Sequence, residues 1–229
     1  VTERVLNGFG NYGPKLLGIV KNNETIFSEV LKFLGLIVNC GDRQEYRLST
    51  LPINKYLQTN RLYFGSKVME IKSPYGTKYA GIASIKEYRP STNAGILDGF
   101  LQLPFEFIIS QSFTFINRMV AISSMQLQQR RMIQSQDVAI SQIQEIDDAL
   151  DSAMSGRFAF GSHHLTIMCV EDNEKILENA MSMAIVEFSN VGITATRERM
   201  NMEAAFWAQL PGNMKYVVRK STINTLNLA

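Results

Sequence analysis

The stretch GSHHLTIMCVEDNEKILENAMSMAIVEFSNVGITATRERMNMEAAFWAQLPGN, residues 161–213, decides how this chain folds. Residues 164–170 are apolar on both faces, which predicts a strand in a central, covered position. Asp172 or Asn173 can cap the helix after it, with Leu177, Met181, Ala184, Ile185 and Phe188 as its buried stripe. Gly192 stands where a left-handed C-terminal cap is wanted. A second strand at 193–197 and a short helix capped by Asn201 complete the run, ended by Pro211. Strand, helix, strand, helix in that order predicts a ferredoxin-like β–α–β arrangement over residues 158–210.

Upstream, residues 105–115 alternate strictly. Phe107, Ile109, Phe113 and Phe115 face one side, and Glu106, Ser110, Ser112 and Thr114 the other, as a strand with one covered face requires. Residues 116–154 read as one long helix, roughly 60 Å if unbroken at 1.5 Å per residue. Its apolar seam is Met119, Ile122, Ile133, Ile140, Ile143, Leu150 and Met154, interrupted by the polar Gln126-Leu127-Gln128-Gln129-Arg130-Arg131. Strands are expected at 62–64, 67–72 and 78–88, with turn chemistry at Ser73-Pro74-Tyr75-Gly76 and a short helix over 93–103. Nearer the start, a helix is expected over 25–38, one opening at Pro14, and a short one after Pro52. The fold class is therefore α+β: a mixed β-sheet covered by helices, with the ferredoxin-like part C-terminal and one long helix near 116–154. The expected domains are a mixed segment at 1–60 and an α+β domain at 61–229.

A chain of 229 residues can bury a sizeable core, and 45% hydrophobic with 19% charged residues places it among globular proteins. A net charge of +2 is too mild to signal a nucleic-acid binder. Cys40 and Cys169 lie far apart and outside any C-x-x-C spacing, as expected of two reduced thiols. The apolar run 30–38 is broken by Lys32 and too short to cross a bilayer. The chain opens without Met, at Val1-Thr2-Glu3-Arg4, and stops at Asn227-Leu228-Ala229; it is expected to be a piece of a longer protein.

Chemical motifs are few. Gly8-Phe9-Gly10-Asn11-Tyr12-Gly13 matches G-x-G-x-x-G formally, but no buried strand precedes it and Pro14 comes directly after, so a loop is expected. His163 and His164 are adjacent on a strand and point to opposite faces, which prevents them from chelating one metal; a strand start near the surface is expected there. Glu145, Asp147, Asp148 and Asp151 read as a solvated helix face. No G-x-x-x-x-G-K-[ST] phosphate loop occurs in the 229 residues. The catalytic, cofactor-binding and metal-binding residues expected of this chain are accordingly none. Contact sites are expected instead, at Gln129, Arg130 and Arg131 in the polar middle of the long helix and at Met202, Phe206 and Trp207. Trp207 itself reads first as a core anchor, with an interface anchor as the alternative.

The segments Asn60-Arg61-Leu62-Tyr63-Phe64-Gly65, Tyr79-Ala80 through Ile85-Lys86-Glu87-Tyr88, and Leu97-Asp98-Gly99-Phe100-Leu101-Gln102-Leu103-Pro104 carry a resemblance. So do Gln111-Ser112-Phe113, Gln136-Asp137, and Glu198 with Glu203-Ala204-Ala205-Phe206-Trp207-Ala208-Gln209-Leu210-Pro211-Gly212. Together they resemble the N-terminal domain of the CagE/TrbE/VirB family of type IV secretion and conjugal transfer ATPases. The resemblance covers roughly residues 50–229 and is most specific in the last 50. It implies a cytoplasmic parent, peripheral to the bacterial inner membrane, that energises transport of protein or DNA across the envelope. It also implies a RecA-like motor downstream holding ATP and Mg, with no cofactor in this part. The front domain is implied to serve assembly, meeting inner-membrane subunits of the channel, other copies of itself and the motor in cis. No catalytic motif of the family falls on these residues. Two other classes stay open: a single-stranded nucleic-acid-binding module, and a free-standing enzyme. Nucleotide turnover by the chain alone favours the enzyme, and strongly salt-dependent affinity the nucleic-acid binder.

Overall fold

The computed structural model describes residues 2–89, 91–135 and 158–228. The chain divides into two compact units, Val1–Tyr63 with Glu70–Thr77, and Phe64–Met69 with Lys78–Ala229.

The first unit opens with α1 (Thr2–Gly8), a 3-10 turn at Gly10–Tyr12, and a hairpin of β1 (Ile19–Asn22) and β2 (Thr25–Ser28). The formal glycine motif is thus a turn, with Gly13 in the left-handed region at φ 59°. No helix forms at Pro14; residues 14–18 are irregular. The helix expected over 25–38 loses its first turn to β2. Asn23, at φ 53°, closes a tight hairpin that pairs Asn22 with Thr25, and the β-branched and aromatic run Thr25-Ile26-Phe27 suits the strand. The helix starts one turn later, as α2 (Glu29–Val38), where the Ser28 hydroxyl accepts from the Leu31 amide at 3.3 Å. A 3-10 turn at Ile53–Lys55 stands where the short helix after Pro52 is expected.

One side chain organises the irregular chain beyond α2. Asn39 is fully buried. Its Nδ2 donates to Gly35 O (3.0 Å), Tyr46 Oη (2.9 Å) and Leu57 O (2.9 Å). Its Oδ1 accepts from the Thr59 amide (2.8 Å), the Thr59 hydroxyl (3.1 Å) and the Asn60 amide (3.0 Å). The Tyr46 hydroxyl donates in turn to Leu57 O at 2.8 Å. The end of a helix and two irregular segments are therefore satisfied by one amide, as a buried polar group requires. Gly35 lets the Tyr46 ring come this close: a Cβ there would lie 2.2 Å from the ring.

The larger sheet holds β3 (Arg61–Phe64), β4 (Met69–Ser73), β5 (Gly76–Glu87), β6 (Glu106–Phe115), β7 (Phe160–Glu171), β8 (Thr194–Arg197) and β9 (Ser221–Asn224). Its path is β3-β4-β5-β7-β6, with β8 on β5 and β9 on β7. The sheet is antiparallel, and the chain is α+β as expected. In the second unit, Ala83 of β5 pairs with both Ile167 of β7 and Arg197 of β8. Both neighbours run against β5, so they run parallel to each other with β5 between them. Helix α4 (Glu174–Asn190) connects them, and this is the split β–α–β of the ferredoxin-like arrangement.

Helix α4 buries Leu177, Ala180, Met181, Ala184 and Phe188 against Ala83, Ile85, Leu165, Ile167 and Cys169. Asn173 caps it, accepting from the Lys175 amide at 2.8 Å, and Gly192 at φ 77° lets Ile193 N reach Phe188 O. Phe107 and Ile109 of β6 join this core from the apolar face of their strand. Further along that face the Phe113 ring lies over Gly161, where a Cβ would stand 2.1 Å away, and Phe115 is exposed. The opposite sheet face is partly polar. The register aligns Thr196, Ser84, Thr166 and Ser110 in one row across β8, β5, β7 and β6.

The short helix expected over 93–103 is a 3-10 turn at Asp98–Gln102, because Gly95 at φ 81° and Pro104 leave no room for more. Helix α3 (Arg118–Ser135) is the described part of the long helix; residues 136–154 of that expectation, with the acidic group at 145–151, lie outside the described residues. Its anchoring face is Ala121, Ile122 and Met125 against Phe160, which turns Met119 and Ile133 of the expected seam outward to solvent.

Asn39→Ala is expected to destabilise the first unit by about 3 kcal/mol, since several buried donors and acceptors lose their partner at once. Hydrogen exchange should show the Thr59 and Asn60 amides losing protection first. Gly35→Ala should weaken the same amides by displacing Tyr46.

Candidate functional site

A buried polar cluster of the second unit lies near the start of β7. His163 is buried, and β6 and the end of β5 bring two partners to its ring. The Tyr88 hydroxyl lies 2.7 Å from Nδ1, and the Gln111 amide nitrogen 2.8 Å from Nε2. An amide nitrogen only donates, so Nε2 is the acceptor. The neutral ring then carries its proton on Nδ1 and donates it to the Tyr88 oxygen, which leaves the Tyr88 hydrogen free to turn elsewhere. The Tyr88 ring also meets the imidazole edge to face at 5.3 Å between centroids. These groups line a cleft of about 320 Å³ with Thr92, Leu97, Ile193 and Ile223; the Thr92 hydroxyl is buried without a partner among the described residues.

Burial, with His164 beside it, pushes the His163 pKa down to about 4, and burial pushes the Tyr88 phenol up to about 12. Burial, with Glu171, also raises the Cys169 thiol to about 12. None of these three groups changes charge near neutral pH, so none is poised as a general base or a thiolate nucleophile. The surroundings hold one neutral imidazole in place.

The neighbouring His164 points to the other sheet face, as adjacent strand residues must. Both histidines are buried, which corrects the expectation of a strand start near the surface: β7 begins earlier, at Phe160, and β9 covers its first residues by pairing Phe160–His163 with Ser221–Asn224. On that second face Glu198 is buried and takes Arg219 through Nε at 2.5 Å and Nη2 at 3.5 Å. Arg197 donates to Glu178 at 2.5 Å and to Lys67 O at 2.9 Å, and its hydrogen bond to Glu178 holds that carboxyl below its ordinary range. Two arginines of the C-terminal segment are thus committed to partners within the fold.

The expected contact residues scatter. Met202 and Phe206, on α5 (Met202–Trp207), are buried, with the Phe206 ring 5.5 Å from Phe64. Trp207 is half-buried and stacks edge-on against Phe206 at 5.1 Å. Gln129, Arg130 and Arg131 all lie on α3, and Arg130 is exposed. Met202, Phe206 and Trp207 share α5, and positions 129–131 share α3, so the two groups are each sets of sequence neighbours. Sequence reasoning missed Tyr88, Gln111 and His163 as a set. The available signal was Gln111, the polar residue on the apolar face of β6 between Ile109 and Phe113. Among the described residues no cluster of His, Cys, Asp and Glu is arranged to hold a metal ion, and no helix is long and apolar enough to cross a membrane.

An unfolded histidine titrates near 6.5. Below that pH the unfolded chain takes up protons that the folded one refuses, so stability falls as pH drops from about 6.5 towards 4. His164, also held low by burial, acts in the same direction. Urea titrations should show a loss of about 2 kcal/mol attributable to His163 between pH 7 and pH 5, and His163→Gln should flatten that slope.

The chain matches the sequence model of the "CagE, TrbE, VirB family, component of type IV transporter system" over residues 15–219. It is 36% identical over 229 residues, all of this chain, to the type IV secretion system protein virB4 of Bartonella henselae. Protein virB4 of Agrobacterium fabrum is 31% identical over 218 residues, 95% of the chain. Type IV secretion system protein PtlC of Bordetella pertussis is 30% identical over 203 residues, 89% of the chain. The chain spans 29%, 28% and 24% of these relatives' own lengths. A split β–α–β sheet whose sequence tracks this family almost from end to end leaves one assignment: the chain belongs to the CagE, TrbE, VirB family and is a component of a type IV secretion system.

Proposed function

We propose that this chain is the assembly and coupling part of a secretion ATPase, without chemistry of its own. Its place is on the cytoplasmic side, peripheral to the inner membrane. There it joins inner-membrane channel subunits, further copies of itself and a downstream motor domain in cis, which carries the ATP and Mg. The observation that carries this reading is exposed apolar surface on two helices. On α3, Met119, Val120, Leu127 and Ile133 are exposed among polar residues such as Ser123, Gln126 and Arg130. Helix α4 adds a second exposed set, Ile176, Met183 and Val186, at 7- and 3-residue steps. Exposed apolar residues aligned along helices are the usual substrate of protein–protein docking, in contrast to singly scattered ones. The sequence supports the division of labour, since it carries no phosphate loop, and the titratable groups of the His163 cleft are tuned away from neutral pH.

The test uses the full-length protein. Val120→Glu with Leu127→Glu should lower cargo transfer by about tenfold or more while purified protein keeps nucleotide hydrolysis within about twofold. Equal loss of both activities would overturn a coupling role for α3. In parallel, Trp207→Ala that weakens assembly assigns Trp207 to the interface, whereas unchanged assembly with lower stability assigns it to the core.

A further inference from the structure

On the polar face of the sheet, β6 and β7 place Ser112 opposite His164 and Thr114 opposite Ser162. Paired residues of antiparallel strands project to the same side. These four side chains line a cleft of about 200 Å³ together with Met214, Val217 and Lys220. His164 is 3% exposed, and its side chain has no hydrogen-bond partner among the described residues. Lys220 is exposed and makes no ion pair among the described residues. The ring nitrogens of His164 are left to the cleft, where a bound group can take the place of solvent.

The lining sets the chemistry of the group that would do so. The cleft offers three hydroxyls, an imidazole N–H and an ammonium, and no carboxylate lines it. Burial and Lys220 both favour the neutral ring, Glu198 opposes them, and Glu198 is itself engaged by Arg219. One net positive charge with converging donors suits an oxyanion. The volume lies below the roughly 300–1,000 Å³ of pockets for drug-sized ligands, so the group is small. We propose that Ser112, Thr114, Ser162, His164 and Lys220 form a binding site for one phosphate-sized oxyanion. Inorganic phosphate and the headgroup of a phosphomonoester lipid share that chemistry. The site is independent of the α3 surface.

The chain has two histidines, so their ring nitrogens give two resolvable sets of NMR signals. Titration with inorganic phosphate should shift the His164 signals and leave those of His163 in place. Lys220→Met changes an exposed side chain and Ser112→Ala a small one, so both variants should fold; each should weaken binding by about tenfold. If inorganic phosphate leaves His164 unmoved but vesicles containing phosphatidic acid shift it, and vesicles of phosphatidylcholine alone do not, the site stands and its source is a lipid headgroup. If neither phosphate nor phosphatidic acid moves His164, or if Lys220→Met and Ser112→Ala leave the affinity unchanged, the proposal is overturned.

Discussion

A strand that must be hidden on both faces governs the second unit. From residue 163 to 170, β7 exposes almost nothing, and its backbone is paired by β5 and β9 on one edge and by β6 on the other. Each requirement recruits a different part of the chain. Helix α4 covers one face with Leu177, Met181 and Phe188, and the C-terminal segment reaches the other through Gln209, whose amide touches Met168. Apolar burial on this scale drives folding, and the loss of either cover would expose the row of β7 side chains on that face.

The two faces of β7 are not chemically alike. One meets a continuous apolar core. The other includes hydroxyls, a histidine and a buried carboxylate. Glu198 is tolerated there because Arg219 reaches it with two nitrogens, and a buried charge without such a partner would cost several kcal/mol. The first unit shows the same economy in a neutral form, where one asparagine replaces what regular secondary structure would otherwise satisfy. In both units, irregular backbone is held by a few polar side chains whose partners would be left unsatisfied if one of them were removed.

The order of elements from β6 to α5 was legible in the sequence because it is local: alternation in residues 105–115, a cap at Asn173, a stripe on α4 and a stop at Gly192 each need only neighbouring residues. The central position of β7 was legible too, since Leu165, Ile167 and Cys169 on one face and Met168 and Val170 on the other are apolar. What escaped was set by distant chain. Burial of His163 and His164 depends on β9, some 60 residues later, and nothing near residue 163 announces it. The start of α2 escaped because Thr25-Ile26-Phe27 satisfies a helical stripe and a strand alike, and the left-handed Asn23 decided between them. Residues 202 and 206 sit four apart on a helix too short to reveal which side it buries.

The insertion of β5 between β7 and β8 also constrains how the protein is made. Residues 79–84 leave the ribosome roughly 80–90 positions ahead of their partners at 166–171. At about 5–20 residues per second, an apolar strand waits on the order of 4–18 seconds with the edge that β7 will take still open. Throughout that interval the nascent polypeptide presents an unpaired template to its neighbours on the same messenger, so its yield is tied to chaperone supply as much as to final stability.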